Sequence, residues 1–168
     1  MKAGTNNNFP PHFRDFIHQL NELAVEYLLI GGYAMGAHGH IRATTDLDIF
    51  INATNENAEK MIIACINYGI PKDSIQKDMF LIPRMIGIGE PPLRIEILKQ
   101  LDIVNFEYAY QRAIKKTIDN IVVNIVSVDD LLLLKKSAIR DRSKSRDIDD
   151  LNFLEKLVAS IAKRKKHK

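Results

Sequence analysis

Two glycines at the end of one apolar segment and two aspartates at the start of the next constrain this chain more than any other feature. Residues 28–30 are apolar and lead directly into Gly31 and Gly32, an order that predicts a buried strand followed by a tight turn into a short helix. Asp46 and Asp48 alternate with apolar residues, so they share one face of a second strand. The sequence therefore predicts a strand–helix–strand unit with a paired-glycine turn close to two acids.

The chemistry of this unit favours a bound polyphosphate. Two close carboxylates repel each other unless a cation lies between them. A helix that opens on glycines lets backbone N–H groups approach an anion, which the helix N-terminus already attracts. Mg²⁺ is typically held by a few carboxylates together with substrate phosphates. Glu96 stands among apolar neighbours in a later predicted strand, where a carboxylate needs a partner, so it is the candidate third acid.

Hydrophobic periodicity and turn signals divide the chain into interleaved helices and strands. The spacing predicts helices over 11–24, 54–68, 106–116, 131–139 and 148–161, and strands over 27–30, 47–51, 79–88, 93–98 and 120–126. This order predicts an α/β (α+β) fold in which a small mixed β-sheet is flanked by helices. The length predicts one domain over 1–168, with a core of about 10–126, a helical part of about 127–162 and a basic tail at 163–168.

Composition places the chain among ordinary globular proteins, with 46% hydrophobic residues, 27% charged residues and a net charge of only +3. The single cysteine, Cys65, excludes an intrachain disulfide, and its apolar neighbours predict a buried thiol in a reducing compartment. No apolar run is long enough to span a bilayer, so we expect a cytoplasmic protein with no membrane partner. The basic run 163–168 is expected to be a solvated, disordered end.

The front half of the chain resembles the DNA polymerase β-type nucleotidyltransferase superfamily. The resemblance is carried by Gly31 and Gly32, a short helix, Arg42, Thr45, and the pair Asp46 and Asp48. It implies the polymerase β-like fold, a glycine turn that contacts the nucleotide phosphates, and two aspartates that bind metal. It also implies a third carboxylate on a later strand. Glu96 is the candidate, one methylene longer than the aspartate that the superfamily often has there.

The rear half is similar to the C-terminal helices of small bacterial nucleotidyltransferases, including the AbiEii and MenT-like toxin group. The similarity runs through Ser127, Asp130, Lys135, Ala138, Arg140 and residues 146–151. In that group a helical lysine reaches toward the nucleotide phosphates, which maps onto Lys135, with Lys136 as the second choice. Many relatives carry a larger substrate-binding domain for which this chain has little room, so acceptor recognition is left to a partner, a dimer or the basic tail.

The resemblance implies a Mg-dependent enzyme that moves a nucleoside monophosphate from a nucleoside triphosphate such as ATP to an acceptor hydroxyl. The implied catalytic and metal-binding residues, for Mg²⁺ or Mn²⁺, are Asp46, Asp48 and Glu96, and the implied nucleotide-binding residues are Gly31, Gly32, Arg42, Thr45 and Lys135. The acceptor stays open among tRNA, protein and a small molecule. A cognate antitoxin and a second copy of the chain are both possible partners.

Several residues also have a simpler structural interpretation. Arg42 either contacts the triphosphate or balances the charge of nearby aspartates. Glu96 has Arg94 two residues away on the same face, which would allow a structural ion pair. His38 and His40 flank a glycine, and without further ligands they are interpreted as surface histidines.

The acids of the last helix and the leucine run before it are also explained structurally. Asp147, Asp149 and Asp150 fall in a first helical turn, where the helix dipole favours negative charge. The leucines at 131–134 are expected to be core residues. Three alternative functions stay open: a non-catalytic nucleotide-binding or toxin–antitoxin partner protein of the same fold, a glycosyltransferase, and a structural domain with an accidental motif.

Overall fold

Helices and strands alternate along the computed structural model, which describes residues 8–141 and 145–168. In chain order the elements are α1 Pro11–Glu22, β1 Tyr27–Ile30, α2 Gly31–Ala37, β2 Leu47–Ile51, α3 Asn55–Tyr68, β3 Ile86–Ile88, β4 Ile95–Leu98, α4 Phe106–Arg112, β5 Ile114–Ile118, β6 Ile121–Ile125, α5 Val128–Asp141 and α6 Ser145–Lys166. The predicted strands at 27–30 and 47–51 are confirmed at both ends. The sequence predicts a loose start over residues 1–8, and residues 1–7 lie outside the described part.

The strands form one mixed sheet in the order β3-β4-β2-β1-β6-β5. β1 pairs antiparallel with β2, and β2 pairs parallel with β4. The register sets Asp48 opposite Ile30 on one side and opposite Glu96 on the other. Because Ile30 is followed at once by Gly31, the two paired acids lie beside the start of α2. The mixed sheet with flanking helices confirms the predicted fold class.

Local sequence signals explain the first and third helices. The α1 side chains at helical spacing that face the sheet are fully buried: Phe13, Phe16, Ile17 and Leu20. Thr54 caps α3, since its Oγ1 accepts a hydrogen bond from the Asn57 backbone N–H at 3.2 Å. Gly69 ends α3 with a φ of 114°, as the sequence predicts. Cys65 is buried on the same helix, and burial raises the pKa of its thiol to about 12, which confirms the core thiol.

Two predicted elements are wrong in extent. The strand predicted over 79–88 is a 3₁₀ turn at Lys77–Phe80 followed by the three residues of β3, because Pro83 interrupts the run and has no N–H to donate to a sheet. The helix predicted over 106–116 ends at Arg112. The next residues form β5 instead, which pairs antiparallel with β6 through a turn in which Asp119 and Asn120 both have positive φ, a hairpin geometry.

The two C-terminal helices pack against each other, and α5 also contacts α2. The expectation of a disordered tail is wrong for its first four residues, because α6 continues through Lys166. Residues 140–146 are mostly charged, and 142–144 of them lie outside the described residues. Within the described ranges, no helix has the length and apolar character needed to cross a membrane.

Candidate functional site

A cavity of about 530 Å³ lies between the acid-bearing strands and the C-terminal helices, and we call it the acid cavity. All eight residues that the sequence assigns to the site lie on its wall: Gly31, Gly32, Arg42, Thr45, Asp46, Asp48, Glu96 and Lys135. The sheet contributes the carboxylates, the start of α2 contributes the glycines, and α5 contributes the lysine. The fold therefore brings together residues that are up to about a hundred positions apart in the sequence.

Asp48 and Glu96 are neighbours across the parallel β2–β4 pair, and their carboxyl groups are hydrogen-bonded to each other. Burial raises the pKa of Asp48 to about 8, and the negative charges of Glu96 and Asp46 add to the shift, while Lys135 opposes it. A carboxyl pair of this kind shares a proton because two bare charges would repel. A divalent cation would replace that proton and reverse the shift.

Asp46 precedes β2 by one residue, and its Oδ1 accepts a hydrogen bond from the Arg94 backbone N–H at 3.3 Å. The Arg94 side chain lies against Gly87, where any Cβ would collide with the guanidinium. Among the described residues no ion pair joins Arg94 to Glu96, and the buried Nε of Arg94 has no hydrogen-bond partner. The structure thus pairs Glu96 with Asp48 and not with Arg94.

The paired glycines leave space that no other residue would leave. Gly31 has a φ of +68°, and a Cβ there would stand 2.1 Å from Asp48 Oδ2. A Cβ on Gly32 would stand 2.2 Å from the Oγ1 of Thr44. Thr44 is itself buried, so it is a packing partner of the turn and not only a residue at the entry to a strand. The turn therefore places backbone atoms without a side chain directly beside the carboxylate of Asp48.

Asp150 is the residue that sequence reasoning missed. Its carboxylate is fully buried and accepts hydrogen bonds from Arg42 Nε and Nη2, both at 2.8 Å, while Lys135 Nζ lies 2.7 Å away. Burial acts to raise the pKa of Asp150, but the hydrogen bonds and charges of Arg42 and Lys135 outweigh burial and lower it. The dipole explanation for this acid is wrong. The available signal was an acid on the helix face that also carries Leu154.

Asp147 is also more than a residue of a first helical turn. It is buried, lines the acid cavity, and its Oδ1 lies 3.6 Å from Lys135 Nζ. Asp149 remains exposed, as the dipole explanation allows. Arg42 is paired with Asp150, so it does not balance the charges of Asp46 and Asp48 as one interpretation held.

Lys135 and Lys136 have different environments although they are adjacent. Lys135 is nearly buried and lies on the cavity wall. Lys136 is half exposed and lies 3.8 Å from the equally exposed Glu155. The structure therefore favours Lys135 over Lys136 as the lysine of this site.

The two histidines and the leucine run need correction. His38 is not a surface residue, because its Nε2 is 2.8 Å from the Val126 carbonyl oxygen, and burial lowers its pKa. His40 lies 3.2 Å from Asp150 and stacks on Phe153 with ring centroids 4.6 Å apart. Of the leucines at 131–134, Leu131 is buried, but Leu133 is 41% exposed. Leu131 and Leu134 line the acid cavity.

The donor set of the cavity suits a hard divalent cation. Carboxylate oxygens are the protein ligands that Mg²⁺ and Mn²⁺ prefer, and Asp46, Asp48 and Glu96 supply them on one wall. Over residues 8–141 and 145–168, no three histidine, cysteine or acidic side chains are already arranged as a metal site. Asp48 and Glu96 lie side by side in the β2–β4 register, and this is the place where a cation would separate them.

The family to which the sequence belongs identifies the protein as a nucleotidyltransferase enzyme. The family model described as "Nucleotidyl transferase AbiEii toxin, Type IV TA system" matches residues 18–167, and the chain belongs to this AbiEii family. This confirms the resemblance that the sequence motifs carry. No functionally curated protein matches the sequence at a significant level.

Two solved structures share the fold. The lincosamide antibiotic adenylyltransferase LnuA, solved with lincomycin bound, is similar with a TM-score of 0.58 and 16% identity, over 89% of this chain and 98% of that one. An antigenic nucleotidyltransferase-like protein from Paracoccidioides brasiliensis is similar with a TM-score of 0.55 and 16% identity, over 87% of this chain and 75% of that one. At this identity the likeness concerns the fold alone.

Proposed function

We propose that the acid cavity binds a nucleoside triphosphate with a divalent cation and transfers its nucleoside monophosphate to an acceptor hydroxyl. One observation carries the proposal: Asp48 faces Glu96 across β2–β4 and lies directly against Gly31. Membership of the AbiEii family supports the reaction type. The direct acid–acid contact supports a cation site, since two carboxylates are brought together at an electrostatic cost that a cation would remove.

The polyphosphate is proposed to lie between the glycine turn and the cations. Gly31 and Gly32 leave backbone groups open to phosphate oxygens, and Thr45 adds a hydroxyl on the same wall. Lys135 and Arg42 supply positive charge on the same cavity wall, and the Arg42 guanidinium lies beside Gly32. Asp46, Asp48 and Glu96 would hold Mg²⁺ or Mn²⁺, which supplies charge neutralisation at the phosphates when bound.

The transfer step conserves atoms and charge. The acceptor oxygen forms a bond to the α-phosphorus while the bond from that phosphorus to the bridging oxygen of the β-phosphate breaks, and pyrophosphate leaves with the bonding electrons. Asp48 or Glu96 would take the proton of the acceptor hydroxyl, since a carboxylate that has lost its own proton can accept one. Arg42 and Lys135 stabilise the negative charge that develops on the leaving group.

The decisive variant is Asp48→Asn, which keeps the shape of the side chain and removes its charge. Incubation with each of the four α-³²P-labelled nucleoside triphosphates and Mg²⁺ is expected to label an acceptor with the wild type and to give at least about a hundredfold less label with the variant. Asp73→Asn serves as the matched control, because Asp73 is exposed and far from the cavity wall. Equal labelling by wild type and Asp48→Asn would refute the catalytic assignment.

The acceptor is identified by supplying RNA, protein and small-metabolite fractions separately in that assay. A groove of about 720 Å³ adjoins the acid cavity, and Arg42 and Arg146 line both. The stacked pair of His40 and Phe153 lines the same groove, which supports an approach of the acceptor from that side. The fraction that gains label names the acceptor class. An antitoxin counterpart is proposed on the family description alone.

A further inference from the structure

We propose that Asp150 is a positioning residue for nucleotidyl transfer, because it fixes Arg42 and Lys135 as a two-cation wall that the polyphosphate contacts. This inference rests on the proposed function above and goes beyond it, since it assigns a role to an acid that itself reaches no ligand.

Asp150 acts only through its neighbours. Its side chain has no exposed surface, and it is not among the residues that line the acid cavity. Arg42 and Lys135 both line that cavity. Arg42 comes from the segment between α2 and β2, Lys135 from α5 and Asp150 from α6, so one carboxylate ties together three separate parts of the chain.

Arg42 is held with part of its guanidinium still free. Nε and Nη2 donate to the two oxygens of Asp150, and Nη1 donates to the Ala43 carbonyl oxygen at 3.1 Å. A guanidinium has five N–H groups, so two have no partner among the described residues. Nη1 lies only 3.3 Å from the position that a Cβ of Gly32 would occupy, which puts the guanidinium beside the glycine turn.

Lys135 is held in the same way. Its ammonium donates to Asp150 Oδ2 at 2.7 Å, whereas Asp147 Oδ1 at 3.6 Å is beyond hydrogen-bond range. An ammonium has three N–H groups, and Lys135 lies on the wall of the acid cavity, so it can also donate to a ligand there. The charge of Lys135 already acts on Asp48 across the cavity, which shows that the ammonium and the sheet acids share one electrostatic environment.

Asp150 fixes the positions of both cations, and the bidentate geometry holds the guanidinium in a single orientation. The nearby Asp147, whose Oδ1 lies 3.6 Å from Lys135 Nζ, carries the second negative charge of this group of side chains. Without Asp150 the two cations would repel each other, and both long side chains would regain rotamer freedom that nucleotide binding must then remove. A prepositioned cation pair lowers that cost at the moment of binding.

Two variants of Asp150 distinguish the effect of moving its carboxylate from the effect of removing its negative charge. Asp150→Glu keeps the charge but moves the carboxylate by one methylene, and Asp150→Asn removes the charge. Glu155→Gln is the matched control, because Glu155 pairs with Lys136 across the same two helices on the exposed side. For each protein we would measure Tm, kcat and KM for the triphosphate that the wild type incorporates, and the Kd of its α,β-methylene analogue.

We expect Asp150→Glu to fold with a Tm closer to the wild type than that of Asp150→Asn, while its KM and the analogue Kd rise about tenfold or more. Glu155→Gln should match the wild type in all of these values. A purely structural role predicts that Asp150→Glu restores KM together with Tm, and that result would overturn the inference. A wild type that neither binds nor transfers any nucleotide would instead overturn the proposed function itself, and this inference with it.

A second measurement does not depend on how stable Asp150→Asn is. Replacing a whole buried charge cluster is often neutral or stabilising, so the double variant Arg42→Gln/Lys135→Met offers a background in which Asp150→Asn is expected to fold. If Asp150 acts through the two cations, Asp150→Asn should change the analogue Kd by less than about twofold in that background. An undiminished effect would show another route and refute the positioning role.

Discussion

Asp48 lies on the wall of the acid cavity, and Asp150 lies behind Arg42 and Lys135, which line it. The two residues are both aspartates, but the charges of the side chains around them have opposite signs. Asp48 faces other acids, and burial together with Glu96 and Asp46 raises its pKa to about 8. The side chain of Asp150 has no exposed surface, yet it lies between Arg42 and Lys135, which lower its pKa against the effect of burial. Burial alone therefore does not decide the charge of an acid in this fold. On the sheet side the acids face one another, whereas on the helix side Asp150 and Asp147 lie beside Arg42 and Lys135.

The largest expected effect concerns the helix side, which we define as Asp150 with its partners Arg42 and Lys135. Asp150→Asn leaves two buried cations without their acid, and we expect it to lower the free energy of unfolding by about 3–5 kcal/mol. Urea denaturation at pH 7 measures the change. The contribution of Asp150 is present above the pKa of an unfolded aspartate and is lost only as the pH falls below about 4, because its folded-state pKa is lowered. A loss below about 1 kcal/mol would contradict the importance given to this buried cluster.

A smaller effect concerns the sheet side and depends on pH. Because the folded-state pKa of Asp48 is raised to about 8, the folded protein keeps a proton that the unfolded chain releases, and metal-free stability falls as the pH rises from about 4 to about 8. Glu96→Gln removes the nearest like charge. It should flatten this slope and stabilise the metal-free protein at pH 8 by on the order of 1–2 kcal/mol.

Thermal unfolding between pH 5 and pH 8, with and without Mg²⁺, measures this prediction. Stabilisation by Mg²⁺ should grow toward pH 8 in the wild type, because ionised acids bind the cation, and it should shrink in Glu96→Gln. A metal-free Tm that rises steadily over this range would contradict the raised pKa of Asp48.

The smallest expected effect concerns an exposed ion pair, which can be compared with the buried one between Lys135 and Asp150. Lys136 and Glu155 join the same two helices as Lys135 and Asp150, but both side chains are half exposed and 3.8 Å apart. Glu155→Gln should change the free energy of unfolding by less than about 0.5 kcal/mol, since water and salt screen such a pair. The same urea titration measures it, and a loss comparable to that of Asp150→Asn would refute the distinction.

The sequence predicts the sheet side of the site well because its signals are local. Glycines at 31 and 32 and acids at 46 and 48 fall within one strand–helix–strand unit, and alternation along β2 fixes the face on which the acids lie. Glu96 was also found from its own neighbours. Its contact with Asp48 nevertheless depends on the parallel register of β4, which no short segment specifies.

The ion pairs of the helix side could not be predicted because the residues that form them are far apart in the sequence. Asp150 bonds to Arg42 across 108 positions, and only the packing of α6 against α5 and the segment before β2 brings them together. The same limit explains β5: residues 114–116 fall within the predicted helix, and pairing of β5 with β6 decides their conformation. Where tertiary contacts decide whether a segment is a helix or a strand, the residue pattern of that segment alone does not predict its conformation.

Helix α6 is a rod of 22 residues with Asp150 near one end. At 1.5 Å per residue, its last turn stands about 24 Å from that aspartate and carries four consecutive basic side chains, from Lys163 to Lys166. A stiff rod transmits a tilt along its length. A molecule bound at the far end of α6 would contact the same helix that carries Asp150 and its ion pairs with Arg42 and Lys135.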